Sequence, residues 1–374
     1  MSGVSHLLRP DLRDFTAYHA ASPRRGVARL HANESSWRAA WDATEDGLNR
    51  YPDPRPAALS EALAALYGVV PEAVLMTRGS DDAIDLLVRA FCRAGKDAVL
   101  VCPPTFGMYA VAARLQGARV VEVPLNRGFG VDAPGVLSAA AEGVKLVFLC
   151  SPNNPTGSRV PAEAVARICR ALDGRSVVVA DEAYAEFARG PGLVEQLADL
   201  PNLVLLRTLS KAWGLAGARV GALLADPALV LRLRALAPPY PLPSLATEAA
   251  LRRLQPRELA AARRRTAGVL RRRERLAGEL QGLPAVRRVW PSEGNFLLVR
   301  FADADAALHA CEAARILVRD FSRQQRLAGC LRITVGTAAE NRKLLRALAA
   351  LPATRRRSRS AQSRPSRAGK VLHG

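Results

Sequence analysis

The feature that most constrains this chain is a series of short, unbroken apolar runs: Ala98 to Val101, Arg119 to Val123, Lys145 to Cys150, Ser176 to Ala180, Leu203 to Arg207 and Arg219 to Leu224. A strand with one wet face alternates apolar and polar residues; unbroken runs of this length suit strands covered on both faces. Amphipathic segments between them supply the covering helices, so a mainly parallel sheet with right-handed crossovers is expected. Past the proline-rich stretch Pro238 to Pro243 the pattern changes to helical spacing over about 245–280, strand-like Asn295 to Phe301 and Leu331 to Val335, and a closing helix to about residue 350. The expected fold is α/β: a large domain with a mainly parallel central sheet flanked by helices, plus a smaller α+β domain. The expected boundaries are an N-terminal arm at 1–40, the large domain at 41–240, the small one at 241–352 and a disordered basic tail at 353–374, where Ser, Arg and Pro leave too little apolar surface to offset ordering.

Several function classes lose support. The net charge of +20 would suit nucleic acid, but six arginines and one lysine between Arg355 and Lys370 carry +7 of it. A second block, Arg252 to Arg275, alternates arginine clusters with Leu and Ala at helical spacing and reads as the solvated face of a surface helix. No separate helix-turn-helix unit has room, so no nucleic-acid partner is expected. No window has the roughly 20 apolar residues of a membrane span, and the start lacks a secretory apolar block, so a cytoplasmic protein with no membrane partner is expected. The six cysteines are scattered without a CxxC pair, and the five histidines lack ligand spacing, so no metal is assigned.

Open α/β sheets place ligands at the carboxyl ends of their strands, so the residues following each run matter most. Arg78-Gly79-Ser80-Asp81 opens a helix, with Ser80 as the expected N-cap and free N–H groups able to hold a phosphate. Other runs end in Ser151 to Gly157, in Asp181-Glu182-Ala183-Tyr184, and in Thr208-Leu209-Ser210-Lys211 with Arg219 beyond. An acid, a tyrosine, an asparagine, a lysine and an arginine therefore gather at one sheet edge. Such a set can pair a protonated ring nitrogen, bond a phenolate oxygen, form an imine and neutralise a phosphate.

With Tyr51-Pro52-Asp53, Pro103 to Tyr109, Pro239-Tyr240-Pro241 and Leu331 to Thr337 in the same order, the chain resembles the pyridoxal-phosphate-dependent aminotransferases of fold type I, and among them the histidinol-phosphate aminotransferases, over about residues 15–351. The resemblance implies pyridoxal 5'-phosphate as cofactor, held as an imine on Lys211, which also moves the proton at the substrate Cα. It implies Asp181 at the ring nitrogen, Asn154 and Tyr184 at the ring hydroxyl oxygen, and Phe106 stacked on the ring. Ser80, Asp81, Thr208, Ser210 and Arg219 would form the phosphate cup, with Tyr51 reaching the cup of the partner in a homodimer. Arg319 and Arg332, with Tyr18, Asn33 and Tyr240, would bind substrate. The implied reaction is reversible ping-pong transfer between L-histidinol phosphate and 2-oxoglutarate, giving imidazole acetol phosphate and glutamate, in L-histidine biosynthesis. An aromatic amino-acid aminotransferase or a threonine-phosphate decarboxylase is the alternative on the same scaffold. Two departures stand out: Asn33-Glu34-Ser35-Ser36 where the family usually has Asn-Glu-Asn-Pro, and Phe106 in place of a common tyrosine.

Overall fold

The computed structural model describes residues 4–18, 27–140, 143–190 and 192–352. The tail expected at 353–374 lies outside the described residues. In chain order the elements are α1 (Ala57–Tyr67), β1 (Val74–Thr77), α2 (Ser80–Phe91), β2 (Ala98–Val101), α3 (Met108–Leu115), β3 (Arg119–Glu122), α4 (Ala133–Ala139), β4 (Val144–Cys150), α5 (Ala162–Ala171), β5 (Val177–Asp181), β6 (Leu203–Thr208) and β7 (Gly221–Leu224). They continue with α6 (Pro227–Leu236), α7 (Ser244–Arg253), α8 (Pro256–Gln281), β8 (Val286–Val289), β9 (Phe296–Phe301), α9 (Ala304–Ala313), β10 (Arg319–Asp320), β11 (Cys330–Thr334) and α10 (Ala338–Ala349).

Helix boundaries follow local chemistry. Gly68, at φ 72°, ends α1 in the left-handed conformation that costs glycine nothing. Asp226 accepts from the N–H groups of Ala228 and Leu229 and caps α6, whose first residue is Pro227. Thr337 and Glu340 form a reciprocal capping box on α10. At α2 the cap differs from expectation. Gly79, not Ser80, is the N-cap, and Ser80 is the first helical residue with no side-chain cap bond. Its hydroxyl is thereby left for something else.

The seven-stranded sheet runs β1-β7-β6-β5-β4-β2-β3. Strands β3, β2, β4, β5 and β6 pair in parallel, while β7 is antiparallel to both β6 and β1. The run Arg119 to Val123 forms an edge strand with exposed ends rather than a doubly covered one. The other runs are buried as expected, with β5 closed on both faces by side chains of two core clusters. A second sheet, β10-β11-β9-β8, is antiparallel. Helix α7 and the start of α8 bury Ala246, Ala250 and Ala262 in the core of the large sheet, while Leu276 and Leu280 of α8 pack on the small one.

The arginine-rich block is two helices, broken where Pro256 starts α8. Its expected solvated character fails at one position. Arg273 is 3% exposed and donates to the carbonyls of Phe187 and Gly294. Buried backbone acceptors need donors, and a long guanidinium can supply two at once.

Candidate active site

The parallel strands deliver their last residues to one edge of the sheet, and the chemistry accumulates there. Asp181 is the last residue of β5 and lies against Cys150 at the end of β4. It is buried, accepts a 2.7 Å hydrogen bond from the Tyr109 hydroxyl and a 3.1 Å bond from the Ala183 N–H, and makes no ion pair among the described residues. Burial pushes its carboxyl up to about 6, against the lowering effect of those two bonds. A buried acid without a cation is costly, and its environment calls for a positively charged partner.

Lys211 follows β6. Its side chain reaches solvent, yet partial burial, then the charges of Arg332 and Arg219, hold the ammonium below its usual range, opposed by Asp81 and Asp181. The Nζ atom stands 5.6 Å from the centre of the Tyr184 ring. That ring is buried, edge-on to Phe296 at 5.1 Å, and burial raises its phenol above the usual range, so it is a hydrogen-bond donor at neutral pH. Asn154 is buried, and its carbonyl oxygen accepts from Arg332, which leaves the amide NH2 end to donate elsewhere.

A second cluster adjoins this one. Arg219 adopts the left-handed conformation at φ 56°, unusual for a side-chain-bearing residue and suited to a functional turn. It pairs with Asp81 at 3.1 Å and donates to Ser210 Oγ at 3.4 Å; Thr208 donates to that same oxygen at 2.9 Å. Gly79 stands at φ 80° and ψ 176°, a conformation that side-chain-bearing residues rarely adopt, and its bare Cα leaves room for the Arg219 guanidinium beside it. The N-terminus of α2, two hydroxyls and a guanidinium thus converge where a phosphate can be held. Asp81 cannot itself attract a phosphate with its carboxylate; it orients the arginine and offers its backbone N–H in the first turn of α2.

Arg332 and Arg319 are directly paired across β11 and β10. Arg332 is half-buried among Phe296 and Phe321, with its guanidinium 5.4 and 5.5 Å from their ring centres, and burial followed by Arg319 lowers its affinity for a proton. Two cations held side by side suit a multiply charged anion.

Phe106 stands edge-on to Tyr109 at 5.6 Å. Tyr51 and Tyr240 stack on each other at 4.7 Å, the former half-exposed. Asn33 is exposed at φ 54°, beside Glu34, whose carboxylate is fixed by Arg29, Arg50 and the N–H of Tyr51. That network ties this part of the arm to the segment carrying Tyr51. Tyr18 is not brought to the lysine. It is 75% exposed and lines a cavity of about 540 Å³ with Phe15, Pro54 and Pro239.

Sequence reasoning missed two features. One is the Tyr109 bond to Asp181. The other is a buried triad in which Arg207 donates to Glu182 at 2.7 Å and Glu186 at 3.0 Å, with the Trp213 indole also donating to Glu186. An arginine closing the otherwise apolar run of β6 was the available signal for the triad. It ties the Asp181–Tyr184 segment to the segment carrying Lys211.

The residues fit a protonated aromatic ring bearing a phosphate: an acid without a cation, two donors, an amine and an anion cradle. Over residues 27–348 the chain matches the family model described as aminotransferase class I and II. It is 50% identical to the histidinol-phosphate aminotransferase of Stenotrophomonas maltophilia, over 93% of this chain and 97% of the relative. A crystal structure of the Sinorhizobium meliloti histidinol-phosphate aminotransferase in complex with pyridoxal-5'-phosphate superposes at a TM-score of 0.73, with 29% identity over 80% of this chain and 82% of that one. The L-threonine-O-3-phosphate decarboxylase of Porphyromonas gingivalis superposes at 0.69, with 26% identity over 80% and 90%. The lysine-centred geometry, the family match and the near full-length relative agree, and the chain belongs to the class I and II aminotransferases.

Proposed function

We propose that the chain is a pyridoxal-phosphate-dependent aminotransferase that moves the amino group of L-histidinol phosphate to 2-oxoglutarate, a reversible step of L-histidine biosynthesis. The observation that carries the substrate class is the Arg319–Arg332 pair across β10 and β11, of which Arg332 donates to Asn154. One pair of guanidiniums can clamp the phosphate of the donor in one half-reaction and a carboxylate of the acceptor in the other. The relatedness at 50% identity supports the same substrate.

When bound, pyridoxal phosphate supplies the electron sink that makes a Cα proton removable. This chain's residues do the rest. Lys211, held toward its neutral form, would hold the cofactor until the substrate amine displaces it, and the freed amine would then take the proton from the substrate Cα and give it back at the cofactor C4′. Asp181 offers a negative charge to the ring nitrogen, and the Tyr184 hydroxyl with the Asn154 amide donates to the ring oxygen. Ser80, Ser210, Thr208, Arg219 and the α2 N-terminus hold the phosphate, while the Phe106 ring borders the cofactor face.

We further propose a homodimer and a cytoplasmic location. Support for the dimer comes from Leu30, Trp37 and Trp41, 94%, 82% and 78% exposed, large apolar side chains that nothing among the described residues covers. Six free, buried cysteines suit a reducing compartment, and among the described residues no helix is long and apolar enough to cross a membrane. We also divide the chain into a large unit through about residue 240 and a smaller one over 241–352, and assign Tyr18 and Asn33 of the arm to substrate binding.

The test compares kcat/KM for L-histidinol phosphate, histidinol and phenylalanine with 2-oxoglutarate as acceptor, in the native protein and in Arg332→Ala. L-histidinol phosphate is expected to be the best donor, and Arg332→Ala is expected to lose about ten- to a hundredfold with it. Preference for phenylalanine, or loss of carbon dioxide from threonine phosphate in place of amino transfer, would overturn the substrate assignment.

A further inference from the structure

The carboxylate of Asp181 has a difficult task. It must stay ionised in a fully buried position, and it must not be neutralised before a ring nitrogen arrives. A lysine or arginine beside it would keep it charged but would occupy the very charge that the ring needs. A neutral donor has the opposite virtue, stabilising the anion while leaving its charge uncancelled.

Tyr109 has the properties of such a donor. It is fully buried at the start of α3, its ring lies flat on Phe148 of β4 at 4.7 Å and 8°, and its hydroxyl sits 2.7 Å from Asp181 Oδ2. The other carboxylate oxygen takes the Ala183 N–H at 3.1 Å, so each oxygen is held by a neutral donor. The remaining titratable groups facing Asp181 are Cys150 from β4, Asp81 from α2, Tyr184 and Lys211. Cys150 is a buried thiol held neutral up to about 12, and Asp81 opposes ionisation, so among these neighbours only Tyr109, the Ala183 N–H and the charge of Lys211 favour the anion. Phe106, edge-on to Tyr109, precedes the same helix, so one helix start carries both the ring-bordering and the acid-holding side chain.

We propose that Tyr109 is a positioning residue for the ring-nitrogen contact: its hydroxyl fixes the orientation of the Asp181 carboxylate and holds it ionised without neutralising it. This rests on the cofactor reading of the site given above. Packing alone would need only a ring at this position, so Tyr109→Phe separates the two roles.

The experiment has a cofactor-free arm and a holoenzyme arm. In the apoprotein, the infrared carbonyl band of protonated Asp181, identified by its loss in Asp181→Asn, is followed against pH. In Tyr109→Phe its midpoint is expected to rise by about one to two pH units, the worth of one hydrogen bond to a charged group. Replacement of Tyr109 by 3-fluorotyrosine keeps the ring and makes the hydroxyl a stronger donor, so the midpoint should move down. In the holoenzyme, kcat of Tyr109→Phe should fall about tenfold or more, with the acid limb of its pH profile displaced upward and KM for the donor nearly unchanged. A midpoint that stays put in Tyr109→Phe, or that moves the same way in both variants, overturns the proposal; if Tyr109→Phe fails to fold, the sign of the fluorotyrosine shift decides. A native protein that forms no visible chromophore with pyridoxal phosphate would overturn the proposed function, whereas an unmoved titration beside a normal chromophore would overturn the role of Tyr109 alone.

Discussion

Asp181 is where function and stability oppose each other most directly. A carboxyl whose pKa is about 6 when folded and 3.8 when unfolded binds more protons folded than unfolded across that interval, so its contribution to stability is lost as pH rises from about 4 to 6. Above pH 6 the ionised acid costs the apoprotein up to about 3 kcal/mol. Asp181→Asn keeps the shape while removing the charge: its Oδ1 can still accept from the Ala183 N–H, and its NH2 can donate to the Tyr109 oxygen. The apoprotein of that variant should therefore be more stable than the native one at pH 7, by on the order of 1–3 kcal/mol, with the gap closing near pH 4. Its turnover should fall by about a hundredfold or more while the visible chromophore survives, because the amide cannot neutralise a ring cation. Denaturant melts of the two apoproteins at pH 4 and 7, with steady-state rates, check both halves. Equal stability at the two pH values would mean that the acid is not desolvated as described.

Among the elements, the proposed phosphate cradle depends on how closely β7 approaches the turn before α2. Gly221 opens β7 opposite both Thr208 and Thr77, and a Cβ there would lie 2.8 Å from backbone carbons of Gly79 and 3.0 Å from the Arg207 carbonyl oxygen. Backbone cannot swing aside as a side chain can, so overpacking of about 1–3 kcal/mol is expected. Gly221→Ala should weaken pyridoxal phosphate binding about tenfold or more, read by fluorescence titration of the apoprotein, and unchanged affinity would show that the turn is free to shift. The strands from β2 to β7 were legible because each is an unbroken apolar run between turn signals. β1 was not, since Val74–Thr77 is only four residues long and follows directly on a short helical turn. β8 was hidden by Arg287 and Arg288, which face solvent as an outer strand permits. That Asp181, Lys211 and Arg219 come to one edge could be read because residues at or just beyond strand ends of an open sheet meet there. Tyr109 could not, because its partner is 72 residues away and only the packing of α3 on the sheet brings the two together. Arg273 misled for a related reason, as its helical spacing says which face it is on but not that two stranded carbonyls await it.

For the whole molecule, the proposed dimer makes a prediction that a monomer cannot meet. If Tyr51 serves the neighbouring site, Tyr51→Ala and Lys211→Ala chains, each inactive alone, should recover part of the native activity when their subunits are exchanged, since one site of the hybrid then has both residues. No recovery after exchange demonstrated by mass tags would confine Tyr51 to its own chain. One lysine, just past the end of β6 and near Asp181, Tyr184 and Arg332, is the proposed point of cofactor attachment. The chain makes this easy to decide, because it has only five lysines: Lys96, Lys145, Lys211, Lys343 and Lys370. The direct measurement is borohydride reduction of the protein loaded with pyridoxal phosphate, followed by peptide mapping of the label. One label per chain is expected, on Lys211, and none in Lys211→Ala, which should also be devoid of turnover. A label that maps to another lysine, or that persists in Lys211→Ala, would contradict that attachment.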